Sequence, residues 1–242
     1  MLILPRRRTR SVICASGFEY GVLPAVLASC AAFTSTYPLD SFKIQTQTDK
    51  LGKDSNLFAG YGESLCICIG TAFMYFNLYA FLAASCEHVP VRAAVATFFS
   101  CLIKVPGKSI TKQLQNQDFD SAGDAIHDTI RTLGYQGFYR CLGPYLLSDI
   151  PENALRFWLY NILANYFQNT LAIGLIAGVL ISLATQPMDM LQTAVICSYK
   201  KKLDLNKLSY FKGTVPALLS NCLQTTIFVM ANGVFAQVCS GA

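Results

Sequence analysis

Four stretches of this chain contain no Asp, Glu, Lys or Arg: residues 20–39, 64–86, 157–188 and 213–242. A helix that crosses a bilayer needs about 20 consecutive, largely apolar residues. Each stretch can hold one, and 157–188 is long enough to reach from the end of one helix into the next. A soluble domain of 242 residues could bury a large core, but its hydrated surface would need more charge than this chain carries. Only 14% of its residues are charged and 53% are hydrophobic, against about 25% charged in soluble domains, and the mean hydropathy is +0.39. The pattern predicts an all-α membrane protein.

The net charge of +5 does not indicate nucleic acid, because the basic residues fall between the apolar runs and form no aromatic-interleaved patch. Lys43, Lys50 and Lys53 follow the first run, Arg131 and Arg140 lie mid-chain, and Lys200, Lys201, Lys202, Lys207 and Lys212 precede the last run. In a six-helix layout these are alternate connections on one side of the membrane. The other connections carry little, which is the positive-inside asymmetry. The N-terminal Arg6-Arg7-Arg8-Thr9-Arg10 fits an organelle transit segment or a solvated basic tail equally well. Cys66 and Cys68 lie inside an apolar run and lack the second pair that a zinc site needs, so they read as small packing residues. No metal or other cofactor is expected. No nucleophile–base pair or phosphate-cradling glycine loop is present, and an enzyme is not the expected reading.

Three proline-centred segments recur at intervals: Pro38-Leu39-Asp40-Ser41-Phe42-Lys43, Pro106-Gly107-Lys108-Ser109-Ile110-Thr111 and Pro187-Met188-Asp189-Met190-Leu191-Gln192. Each ends an apolar helical stretch. A polar connector and a second apolar helix follow each one. The connectors close alike, as Leu57-Phe58-Ala59-Gly60, Gly137-Phe138-Tyr139-Arg140-Cys141 and Tyr210-Phe211-Lys212-Gly213. An internal proline removes a backbone hydrogen bond and kinks a helix, so three such helices can converge at one end. Asp40 and Lys43, three residues apart, share a helix face. Charges at membrane depth should face a watery interior.

This triple pattern resembles the mitochondrial carrier family from about Gly17 to Phe235. The resemblance implies six transmembrane helices from three tandem two-helix repeats, a pseudo-threefold arrangement and transport by alternating access. Expected helices are 18–46, 59–84, 91–115, 141–166, 170–197 and 212–238. Expected units are a basic tail (1–16) and repeats 17–88, 89–168 and 169–242. The stretch Asp124–Arg140 resembles the family's short surface helix. The other two connectors are too short for one, which puts lipid clamping there in doubt. The resemblance also implies an inner mitochondrial membrane location (or a plastid envelope), a small-molecule metabolite as partner, lipid contacts such as cardiolipin, no nucleic acid, and a monomer.

The resemblance assigns a matrix-side gate to Pro38, Asp40, Lys43, Pro106, Lys108, Thr111, Pro187, Asp189 and Gln192. Around that ring Asp189 and Lys43 retain the family's acid–base pair. Asp40 loses its base to Thr111, with Lys108 or Lys112 as substitutes, and the third link loses both charges to Lys108 and Gln192. Asp40 is the nearest candidate partner for Lys108. The opposite gate keeps no charge: Tyr79-Ala80, Tyr160-Asn161 and Ala231-Asn232 stand where an aromatic–acid motif is expected. Closure on that side should therefore rest on apolar packing. Gly174 and Gly178 predict a close helix contact.

The cavity positions implied on the even helices are Ile67, Ser148 with Asp149, and Ser220 with Asn221. Asp149, Glu152 and Arg156 share one helix face and form an ionisable membrane cluster. The bland alternative is that Arg156 only neutralises Glu152 one turn away. Lys104-Val105-Pro106 and the run from Gly137 to Glu152 are similar to the S-adenosylmethionine carriers, although Ser148 replaces a base of theirs. An acidic site suits a cationic or zwitterionic solute better than a polyphosphate. A non-transporting scaffold and a leak pathway are the competing readings.

Overall fold

The structure, a computed structural model, describes residues 22–49, 56–84, 88–167, 169–197, 211 and 213–240. The N-terminal arginines and the lysines from 200 to 207 lie outside the described residues. Six long helices and one short one account for most of the rest: α1 (Val22–Gln47), α2 (Tyr61–Leu82), α3 (Val89–Gln115), the short α4 (Ala122–Leu133), α5 (Leu142–Tyr166), α6 (Thr170–Cys197) and α7 (Thr214–Ser240). The six long helices fall within four residues of their expected bounds. At about 1.5 Å per residue each is long enough to cross a bilayer core of about 30 Å. Five are also apolar enough to do so. The sixth, α5, carries Asp149, Glu152 and Arg156.

Each long helix packs on its neighbours in the chain, and α7 closes on α1, so the six form a ring. Burial is inverted relative to a soluble protein. Leu171, Leu175, Val179 and Leu183 form an exposed i, i+4 stripe on α6, and Leu219, Leu223, Met230 and Val234 are exposed on α7. Gln45, Gln113, Asn116, Asp149 and Gln186 are buried. An apolar exterior around a polar centre is what a lipid solvent demands.

The helices α1, α3 and α6 run through Pro38, Pro106 and Pro187, and α5 has its own internal proline, Pro151. α1, α3 and α6 also touch one another pairwise. The aromatic-x-Gly segments act as joints into α2 and α7. Gly60 (φ 71°) and Gly213 (φ 76°) adopt left-handed backbone, which glycine alone enters without penalty. The middle repeat has Cys141 with φ −90° at this joint. Its side chain is buried against Val105, Tyr145 and Ile196.

At the expected close contact, a Cβ on Gly174 would lie 3.0 Å from Thr226 Cα, and one on Gly178 would lie 2.7 Å from Cys222 Cα. Helices α6 and α7 thus meet backbone to backbone. The surface helix expected in the middle repeat is α4. Ser121 caps it, accepting the Asp124 N–H at 3.2 Å, and Gly134 (φ 67°) ends it. The following 3-10 turn, Tyr135–Tyr139, is tied to α3 by the Tyr139 hydroxyl, which donates to the Leu102 carbonyl at 3.2 Å.

Candidate substrate cavity and its closed end

The C-terminal halves of α1, α3 and α6 close one end of the ring through three unequal links. Lys43 on α1 pairs with Asp189 on α6 at 2.5 Å, and Gln47 donates to the same carboxylate at 3.5 Å. Between α3 and α6 the Lys112 ammonium donates to Gln192 Oε1 at 2.7 Å and Thr193 Oγ1 at 3.3 Å. Between α1 and α3 the link is neutral: Gln45 donates to the Gln115 carbonyl at 3.1 Å, and Gln115 to Ser41 Oγ at 3.4 Å. One ion pair and two hydrogen-bonded links therefore stand where the resemblance implies three ion pairs.

The two expected substitutes for the base beside Asp40 differ. Lys108 lies near enough to Asp40 to act on its charge but makes no contact ion pair with it. Lys112 turns to Gln192, and the Asp40 carboxylate accepts the Ser220 hydroxyl from α7 instead. The Lys108 ammonium lies 4.9 Å from the centre of the Phe33 ring. Thr111 is fully buried and stays within its own helix, its hydroxyl directed to the Lys108 carbonyl at 3.5 Å.

Above this floor are two adjoining cavities of about 220 and 260 Å³. Both are bordered by Asp40, Lys104, Lys108, Asn153, Arg156 and Gln224, so they are chambers of one space. The chamber next to the floor is polar. Lys104 on α3 is paired with Asp149 on α5, Glu152 pairs with Arg156 at 2.6 Å within α5, and Asn221 reaches in from α7. The second chamber shares several of these charged residues and adds the aromatic side chains Phe33, Tyr75, Phe76, Tyr160 and Phe228 to its wall.

A mitochondrial carrier protein family model matches residues 90–171, which cover α3 to the start of α6. Probable S-adenosylmethionine carrier 2, chloroplastic, of Arabidopsis thaliana is 26% identical over 194 residues, 70% of this chain and 56% of that protein. S-adenosylmethionine carrier 1, chloroplastic/mitochondrial, of the same plant is 23% identical over 231 residues, 86% of this chain and 67% of that protein. Mitochondrial arginine transporter BAC2, also from Arabidopsis thaliana, is 28% identical over 202 residues, 67% of this chain and 68% of that protein. The chain thus spans a little over half the length of the first relative and about two thirds of the other two.

Residues 90–171, about a third of the chain, match the mitochondrial carrier family. The chain is similar over most of its length to S-adenosylmethionine carriers at low identity.

Within this cavity the expected residues separate into two groups. Asp149, Glu152, Arg156 and Asn221 line the space. Ser148 and Ser220 are buried outside its wall, Ser220 against Asp40. Ile67 is displaced from its expected place. It fills the space above Gly107, where a Cβ would meet its Cδ1 at 2.5 Å, and it therefore packs α2 on α3. Cys68 and Thr71 take the α2 positions in the wall.

Lys104 was not among the expected site residues, although its signal is visible. Lys104, Lys108 and Lys112 are spaced i, i+4, i+8, which places all three on one face of α3, and all three line the polar chamber. The aromatic wall carries no such signature, because aromatic residues at helical spacing read as ordinary packing. At the other end of the ring Tyr79 and Tyr160 are buried, and the Phe76 and Phe228 rings stack at 6.1 Å with 4° between planes. That stack joins α2 to α7 without charge. The side chain of Asn161 lies outside the described residues.

Proposed function

We propose that this chain is a solute carrier working by alternating access, with the end formed by α1, α3 and α6 closed in this conformation. Its substrate is a zwitterionic or cationic metabolite that bears a flat ring, and S-adenosylmethionine is the first compound to test. By the family resemblance the closed end is the matrix side, and the membrane is the inner mitochondrial membrane or a plastid envelope.

The observation that carries this reading is the division of the cavity into a chamber of paired acids and bases beside a chamber of aromatic walls. Ion pairs in a poorly hydrated site hold their charges ready without leaving any of them bare. A ligand with its own ammonium or sulfonium and carboxylate can exchange partners with Asp149–Lys104 and Glu152–Arg156 while its ring stacks among Phe33, Phe76 and Phe228. A polyphosphate would need several free cations. Several relatives are named for S-adenosylmethionine or arginine, which supports a cationic amino-acid-like solute, while others are named for glutathione or tricarboxylate.

The test is uptake of labelled S-adenosylmethionine into liposomes holding the purified protein, with and without the same compound or its homocysteine product inside. Uptake accelerated by internal substrate is expected. No uptake by folded protein of this compound, of arginine or of a wider solute set would overturn the carrier reading in favour of a scaffold.

A further inference from the structure

Five cations line the polar chamber, and four of them are engaged. Lys43 pairs with Asp189, Lys104 with Asp149 and Arg156 with Glu152, while Lys112 donates to Gln192 and Thr193. Lys108 is the exception. Among the described residues its ammonium has no carboxylate within 4 Å and donates no hydrogen bond, and the face of Phe33 is its neighbour at 4.9 Å. The nearby acid, Asp40, is held by Ser220. Lys108 also borders both chambers, so a ligand reaching from the aromatic wall to the charged floor must pass it.

A half-buried ammonium at membrane depth without an anion is costly, and a single cation–ring contact offsets only part of that cost. Lys104 and Lys112 stand one turn away on either side and add positive potential at the same place. The missing partner is therefore an anion brought in from outside. We propose that Lys108 is an anion subsite that receives the carboxylate of an amino-acid-type substrate. The inference rests on the carrier reading above and adds which group of the solute is recognised, and where. It also explains why a position that is acidic in the family's repeat motif carries a lysine in the middle repeat.

The experiment compares S-adenosylmethionine with its decarboxylated analogue, which differs only in lacking the carboxylate. Wild type, Lys108→Met and Lys108→Arg are reconstituted, and half-saturating concentrations for uptake are measured. The rise in melting temperature with each compound is recorded on the same proteins in detergent. Lys108→Met is expected to weaken S-adenosylmethionine about tenfold or more, the size of one charge-assisted contact, and to leave the analogue within about twofold. Lys108→Arg should recover most of the difference. Equal changes for both compounds, or none, with transport intact, would overturn the subsite alone. A wild type neither stabilised by nor transporting either compound would overturn both the substrate reading and the subsite.

Discussion

Asp149 faces two groups on α3. One oxygen holds the Lys104 ammonium, and the Cys101 thiol donates to the same oxygen at 3.7 Å. The carboxylate is almost fully buried, at 6% exposure, so removing its charge strands a lysine inside the ring. Asp149→Asn should lower uptake of a cationic substrate by about tenfold or more, with a fall in melting temperature of the purified protein. Unaltered uptake would remove Asp149 from the site. A similar argument applies to the floor. Breaking one partner of a partly buried ion pair leaves the other charge uncompensated, so Lys43→Asp and Asp189→Lys should each destabilise the closed end, while the two together recover part of the loss. A thermal melt of the four proteins tests this; if the two single losses simply add in the exchanged protein, the pair is not coupled.

At the scale of the helices, the α6–α7 contact and the solvent-side glycines make a matched comparison. Gly178→Val places a side chain against the Cys222 backbone and should cost about 1–3 kcal/mol by overpacking. Gly62 on α2 has nothing within 4 Å of a built Cβ, so Gly62→Ala should be neutral or stabilise by up to about 1 kcal/mol through helix propensity. Melting temperatures in detergent decide between them.

The helices were readable from the chain because charge-free runs and repeating prolines are long, strong patterns, and each predicted boundary lay close to a polar connector. Gly178 was readable for the same reason. The site was less so. Asp149 and Arg156 stand out as charges in an apolar helix, and the Lys43–Asp189 pair follows from the repeat. Ile67 and Ser220 were assigned by register alone. A rotation of a fraction of a turn moves a side chain from the cavity into a helix contact, and spacing cannot resolve that. The Phe76–Phe228 stack illustrates the limit further, since two apolar residues more than 150 positions apart carry no mark of being neighbours.

Across the whole molecule, one end of the ring is closed, among the described residues, by an ion pair and two softer links, while toward the other end α2 meets α7 through the Phe76–Phe228 stack and Arg92 lies over the Tyr79 ring. The balance between them sets how readily the cavity can change sides. Gln192→Glu places a carboxylate where the Lys112 ammonium already reaches, at 2.7 Å from Oε1, and should convert a charge-assisted hydrogen bond into a second ion pair. The expected result is a higher melting temperature together with slower exchange, because the closed floor is favoured over the state that follows it. Faster exchange would mean that this floor does not limit the cycle.

The closure of α7 on α1 has a consequence for how the chain enters its membrane. Asp40 and Lys43 lie in the first described helix, yet Ser220 and Asp189, which satisfy them, belong to the last third of the chain. During synthesis α1 emerges long before either partner exists. Left alone in lipid it would expose an acid and a base at depth, at a cost of several kcal/mol. Integration helix by helix from the N-terminus is therefore uphill at its first step. A route in which α1 meets α6 and α7 before it enters lipid avoids that cost.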